Sequence, residues 1–196
     1  MHENRRQRLR RLTQAQHQRL DDLVGEPDAL ADTPRFSHFL STMLRLHVAA
    51  ARRLRAAALL GLVHAGSDDA PIAELEADLQ ALGRARATAL VLPPVRCDGG
   101  ALGLRYVLMG SALGARGIRE RAAGQTALRF IDAQARQTRR WPGFLAELEG
   151  ASLDAAGEAA CSRMAACTFT AVATALQSPA VGLCRHRPSL AEPAEA

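Results

Sequence analysis

Apolar residues recur at three- and four-residue intervals along most of this chain. No segment sustains the two-residue alternation of a half-buried strand, so the pattern predicts an all-α protein. Leu9, Leu12, Gln16, Leu20 and Leu23 share one face of a first helix, Arg5 to Val24, with arginine and glutamine on its other faces and a stop at Gly25-Glu26-Pro27. Asp32-Thr33-Pro34 pairs a capping side chain with proline in the first turn. It opens a long second helix with Phe36, Leu40, Met43, His47, Ala51 and Leu54 on one face. After a turn at Gly66-Ser67-Asp68-Asp69, a third helix, Pro71 to Leu82, turns Ile72, Leu75, Leu79 and Leu82 inward, and Gly83 and Pro93-Pro94 break the pattern. Asp98-Gly99-Gly100 starts a helix that reaches Gly114 or beyond. Further helices are predicted over Arg119 to Gln137 (Ala127, Phe130 and Ile131 inward), Trp141 to Leu148 and Ala155 to Leu176. Residues 1–178 read as one helical domain, and the Ala/Pro/Arg-rich stretch 179–196 as a flexible C-terminal tail.

Composition narrows the class. At 48 % apolar residues the 196-residue chain is too hydrophobic for disorder. No unbroken apolar run reaches the ~18 residues that span a bilayer, and the charged N-terminus lacks a signal's apolar segment. We therefore expect a cytoplasmic protein with no membrane partner. Cys97, Cys161, Cys167 and Cys184 fit no zinc spacing and read as reduced thiols. The chain holds 25 Arg and no Lys, for a net charge of +5, and 40 Ala. Arginine grips phosphate through two parallel hydrogen bonds, which points to nucleic acid. GC-rich codon usage enriches Arg and Ala equally well.

One stretch carries more information. Gly110, Gly114 and Gly117 fall at i, i+4 and i+7 in an otherwise apolar helix. Each glycine costs about 1 kcal/mol relative to alanine there. A bare face offsets that loss by admitting either another helix or a flat ligand against the backbone. The dinucleotide reading of Gly99-Gly100…Gly103 fails for want of a preceding strand. His17 borders the apolar stripe of the first helix and His47 lies on that of the second; each suits a structural role or a metal ligand. No Glu-x-x-His pair is present, which argues against a di-iron carboxylate bundle, whereas a single histidine ligand suits haem.

These residues also carry a family likeness. Leu9-Arg10-x-x-Thr13-x-x-x-His17-x-x-Leu20-Asp21 resembles the proximal helix of haem oxygenases, and Tyr106-Val-Leu-Met-Gly110-Ser-Ala-Leu-Gly114-Ala their glycine-rich distal helix. Arg140-Trp141-Pro-Gly-Phe144-Leu-x-x-Leu148 and Ala166-Cys-Thr-Phe169 resemble the C-terminal part of the bacterial members, notably the biliverdin-forming enzymes that accompany bacteriophytochromes. The resemblance implies a single-domain helical bundle with haem b, as both substrate and prosthetic group, held between a proximal and a distal helix. It makes His17 the proximal iron ligand, Arg10 and Tyr106 propionate contacts and Phe169 a packing residue on the macrocycle; Thr13 belongs to the same proximal motif. Gly110 and Gly114 let the distal helix bend over the haem, and Ser111 helps order distal water. Arg10 precedes His17 by two turns, about 10 Å along one face, the reach from a haem iron to its propionates.

The implied reaction cleaves haem to biliverdin, CO and ferrous iron, with dioxygen and electrons from an external ferredoxin or reductase. No protein-bound flavin or nicotinamide is implied. Such a protein is expected as a monomer, with a bacteriophytochrome as a candidate biliverdin acceptor and no nucleic-acid partner. Met109 replaces a glutamate common among relatives, and Ala115 replaces the second glycine of a common pair. These departures leave two alternatives: a haem-binding or sensor protein with weak turnover, and a non-haem helical adaptor whose basic N-terminus, Arg5 to Arg11, binds an acidic surface.

Overall fold

The computed structural model describes residues 3–25, 29–67, 69–84 and 88–178. Glu26, Pro27, Asp68, Cys184 and the tail expected over 179–196 lie outside the described residues. Among the described residues there are eight α-helices and no strand: α1 (Arg5–Val24), α2 (Thr33–Leu59), α3 (Ala70–Ala81), α4 (Asp98–Ser111), α5 (Ala115–Arg121), α6 (Arg129–Gln137), α7 (Trp141–Gly150) and α8 (Ala155–Gln177). Single 3-10 turns join α4 to α5 (Ala112–Gly114) and α6 to α7 (Thr138–Arg140). The all-α expectation holds.

Side-chain caps set the helix starts. Asn4 and Gln7 close a reciprocal capping box on α1, Asp32 accepts from the Arg35 amide (3.0 Å), and Asp154 accepts from the Gly157 amide (2.7 Å). Each satisfies a backbone donor that a helix end leaves unpaired. The α1 terminus is fixed from outside as well. Glu149 of α7 accepts from the amides of Arg5 (3.0 Å) and Arg6 (2.8 Å). The Arg5 guanidinium bonds Glu158 (2.6 Å) and the Ala151 carbonyl (2.9 Å) and also reaches the Leu148 carbonyl. Arg8 pairs with Glu158 too, and Arg11 with Glu3. Three members of the basic N-terminus thus neutralise carboxylates of the chain itself, which weakens the adaptor alternative.

The long α2 is buried on most of its faces. With Leu75 and Leu79 of α3, Leu104 of α4 and Phe130 and Ile131 of α6 it forms the main core. A second cluster joins Leu9 of α1, Leu102 of α4, Phe144 and Leu148 of α7, and Cys161 and Phe169 of α8. Leu12, placed on the apolar stripe by its spacing, is instead 43 % exposed. Glycine sets the spacing of α4 on α8. A Cβ on Gly99 would overlap the carbonyl oxygen of Gly157, and one on Gly103 that of Cys161. α8 is long and apolar enough to cross a membrane by composition alone. Here α4 packs directly on its backbone, and Cys161, Ala165, Thr168 and Val172 are buried.

The single helix predicted over Arg119 to Gln137 is two helices. α5 ends at Arg121, the chain turns through Gly124 at φ +83°, and α6 begins at Arg129. Glycine makes that left-handed turn cheap. Asp78 of α3, buried, receives the new helix by accepting from the amides of Arg129 (3.1 Å) and Phe130 (2.9 Å). Burial pushes its carboxyl above the ordinary value, against the pull of those two bonds. Ala127, Phe130 and Ile131 are buried, as expected.

Glu147 of α7 ties together the α2–α3 connection and α4. It accepts from Arg105 (2.8 Å) and lies 2.8 Å from His64 Nδ1. The Arg105 hydrogen bonds, helped by His64 and opposed by partial burial, hold its carboxyl below the ordinary 4.5. A folded-state pKa below the unfolded one gives stability that is present above the unfolded value and lost as pH falls through the folded one. Glu147→Gln should therefore lower the melting temperature at pH 7, by the equivalent of at most about 1 kcal/mol. The gap to the unsubstituted protein should close on acidification below 4.5. A gap constant with pH in thermal melts would show that the charge contributes nothing.

Candidate functional site

The two hydrophobic clusters leave a cleft of about 870 Å³ between them. That volume falls within the ~300–1,000 Å³ of small-molecule sites. α1 forms one wall, and the glycine segment of α4 and α5 another; Phe130, Ile131 and Gln134 of α6 and Phe169, Val172 and Leu176 of α8 complete it. Arg10, Thr13, His17, Tyr106, Gly110, Ser111, Gly114 and Phe169 all line this one cleft, so residues chosen from three separated motifs converge.

On α1, Leu9 and Thr13 anchor the helix: both are buried, and the Thr13 hydroxyl donates to the Leu9 carbonyl (2.8 Å). One turn on, His17 stands in the cleft with its side chain 62 % exposed. Its Nδ1 lies 3.0 Å from an Asp21 carboxylate oxygen. A carboxylate accepts and cannot donate, so Asp21 favours the neutral tautomer with its proton on Nδ1, the one that leaves Nε2 with a lone pair. Phe169, 8 % exposed, sits against the imidazole with ring centroids 5.8 Å apart.

Toward the start of α1 the cleft becomes cationic. Arg6 and Arg10 line it together with Tyr106. Burial raises the pKa of the Tyr106 phenol, while the charges of Arg6 and Arg10 reach it and pull the other way. The phenol stays protonated beside two cations, a set of donors suited to carboxylates.

The opposite wall is bare backbone. The α-helical pattern ends at Ser111, tightens into a 3-10 turn and resumes as α5, so the continuous helix expected through Gly114 is broken at the glycines. A Cβ on Gly114 would meet nothing, and one on Gly110 only the edge of Trp141 at 3.8 Å. Gly117 does not line the cleft. The bare face fronts open space; the glycines that admit a helix are Gly99 and Gly103. The Ser111 hydroxyl donates to the Leu108 carbonyl (2.7 Å) and so offers the cleft its lone pairs rather than its proton. Ala115 is buried and borders the cleft.

His47 lies outside the cleft, buried with its ring 5.7 Å from that of Phe130, as a structural histidine would be. Among the other lining residues are Arg6, Trp141 and Gln134, to which the sequence reading gave no role in the site. Trp141 packs between Tyr106 (5.9 Å) and Phe144 (5.7 Å), and its place in the Arg-Trp-Pro-Gly-Phe motif is the one signal that could have marked it. Among the described residues no group of three His, Cys, Asp or Glu side chains could hold a metal ion.

The domain thus sets a histidine-bearing helix and a glycine-broken helix on two walls of a roomy cleft. Its fold is that of haem oxygenases. The NO- and CO-bound haem oxygenase of Neisseria meningitidis superposes with a TM-score of 0.69 over 88 % of this chain and 90 % of that one, at 22 % identity. No family model matches the chain, and no curated protein matches it by sequence.

Proposed function

We propose that this protein binds haem in the α1–α4 cleft and cleaves it to biliverdin, CO and ferrous iron, using dioxygen and electrons from an external ferredoxin or reductase. The observation that carries this reading is the convergence of eight residues, selected by motif, on one cleft of suitable size. The donor set fits the group: one imidazole with a free Nε2, a cationic corner for carboxylates and a backbone wall without side chains.

When bound, haem supplies both the iron that activates dioxygen and the carbon that is oxidised, so the protein needs no nucleophile or carboxylate pair of its own. His17 would ligate the iron through its imidazole, and Asp21 would hold the ring's tautomer and orientation. Arg10 and Arg6 would pair with the propionates and Tyr106 would donate a hydrogen bond to them, which would fix the rotation of the macrocycle. Gly110 and Gly114 keep side chains out of the space where a small gas molecule must sit. The lone pairs of Ser111 anchor water there, while Phe39, Met43 and Leu46 keep the inner end apolar. A bacteriophytochrome is a fitting acceptor for the product.

The test is a hemin titration of the purified protein, followed by ascorbate or a reductase couple. A Soret band at stoichiometric hemin and growth of a biliverdin band are expected. No Soret shift refutes haem binding, and a stable complex without biliverdin leaves a binding or sensor protein. Arg10→Glu, which reverses one charge at the propionate corner, should weaken hemin binding roughly 10-fold, the value of one charge-assisted hydrogen bond, or shift the biliverdin isomer formed. Arg116→Glu, an exposed change outside the cleft, should do neither.

A further inference from the structure

The wall of the cleft carries a buried polar side chain whose amide oxygen nothing in the fold satisfies. Gln134, on α6, is 4 % exposed and lines the cleft, and its Oε1 is buried with no hydrogen-bond partner. Its companions there, Phe130 and Ile131 on α6 and Met43 and Leu46 on α2, are apolar. Leaving a buried amide oxygen unpaired costs free energy that leucine or methionine in the same volume would not. α6 is also held firmly, with its first amides bonded to Asp78, so the side chain is presented from a rigid element. It belongs to the wall of α5 and α6, away from the α1 wall that carries His17.

We propose that Gln134 is a positioning residue. Its amide oxygen holds an ordered water at the inner end of the cleft, facing the side of the macrocycle turned away from His17. The proposal rests on the haem reading above. A cleft end of this kind is polar enough for a water only because of Gln134, since water needs at least two polar partners to stay. With Ser111 also presenting lone pairs to the cleft, Gln134 supplies a second acceptor. A water held on such an acceptor keeps its own protons turned toward the cleft, where they can be donated to a bound molecule. Neither side chain need titrate.

Gln134→Leu and Gln134→Met test this. Three measurements are needed: melting of the protein without hemin, the C–O stretch of the ferrous CO complex, and the rate of biliverdin formation. The proposal expects melting temperatures at or above that of the unsubstituted protein, because the amide oxygen makes no bond within the fold. It expects a displaced C–O stretch, because the local field changes, and a biliverdin rate lower by roughly 2- to 10-fold, the factor for one hydrogen bond. A lowered melting temperature in both variants would show that the amide serves packing and would overturn the proposal. So would an unchanged C–O stretch in a variant that binds hemin normally. If the unsubstituted protein gives no Soret band with hemin, the haem reading falls and this inference with it; hemin binding with an unaltered stretch sinks the inference alone.

Discussion

Gly103→Ala is expected to be among the most damaging single-methyl changes in this protein. In an isolated helix the substitution is favourable by about 1 kcal/mol. Here the new Cβ overlaps the Cys161 carbonyl oxygen, which belongs to the α8 backbone and cannot rotate away as a side-chain tip would. α4 and α8 must separate, and Leu102, Cys161 and Ala165, each fully or almost fully buried, lose packing together. Overpacking of this kind costs about 1–3 kcal/mol or more. At roughly 2–4 °C per kcal/mol for a chain of this size, the melting temperature should fall by several degrees. Gly99→Ala, which meets the Gly157 carbonyl in the same way, should behave alike. Gly114→Ala is the control. Its Cβ meets nothing and its backbone is helical, so stability should hold or rise slightly while the cleft narrows. Thermal melts of the three variants check the contrast, and equal losses at Gly103 and Gly114 would refute it.

That contrast shows where the sequence was legible. Helix positions followed from three- and four-residue spacing and from Asp32 and the prolines. Arg10, Thr13 and His17, marked by the family resemblance, lie on one helix and line one cleft. What a glycine faces is a tertiary fact. Gly110, Gly114 and Gly117 fit a close-contact stripe better than Gly99 and Gly103 do, yet only the latter meet a backbone. The break at Gly124 was hidden because the apolar period continues across it, with Ala122 before and Ala127 after both buried. Asp78, which starts α6, lies some fifty positions earlier and leaves no local trace. Gln134 reads as an ordinary polar position until α2 and α5 enclose it.

His17→Ala should separate ligation from folding. The side chain is 62 % exposed and its pair with Asp21 lies in solvent, so its removal should shift stability by no more than about 1 kcal/mol. The effect on a haem complex should be large, because the proposed function assigns iron ligation to His17, which lines the cleft. The axial-nitrogen signature in the optical and electron paramagnetic spectra should disappear, and biliverdin formation with it. Added imidazole, small enough for the space the side chain leaves, should restore the spectrum at least in part. Asp21→Ala should give a milder version, a roughly 10- to 100-fold loss of affinity, because the ring keeps its nitrogen but loses the acceptor that fixes its tautomer and aim. His47→Ala should do the reverse. That ring is 6 % exposed and packs edge-on against Phe130, so its loss opens a void in the core and costs about 1–3 kcal/mol of stability. The haem spectrum of whatever remains folded should be unaltered. If His47→Ala abolished the axial signature and His17→Ala kept it, α1 would not be the proximal wall, and the roles assigned to Arg10 and Asp21 would fall together.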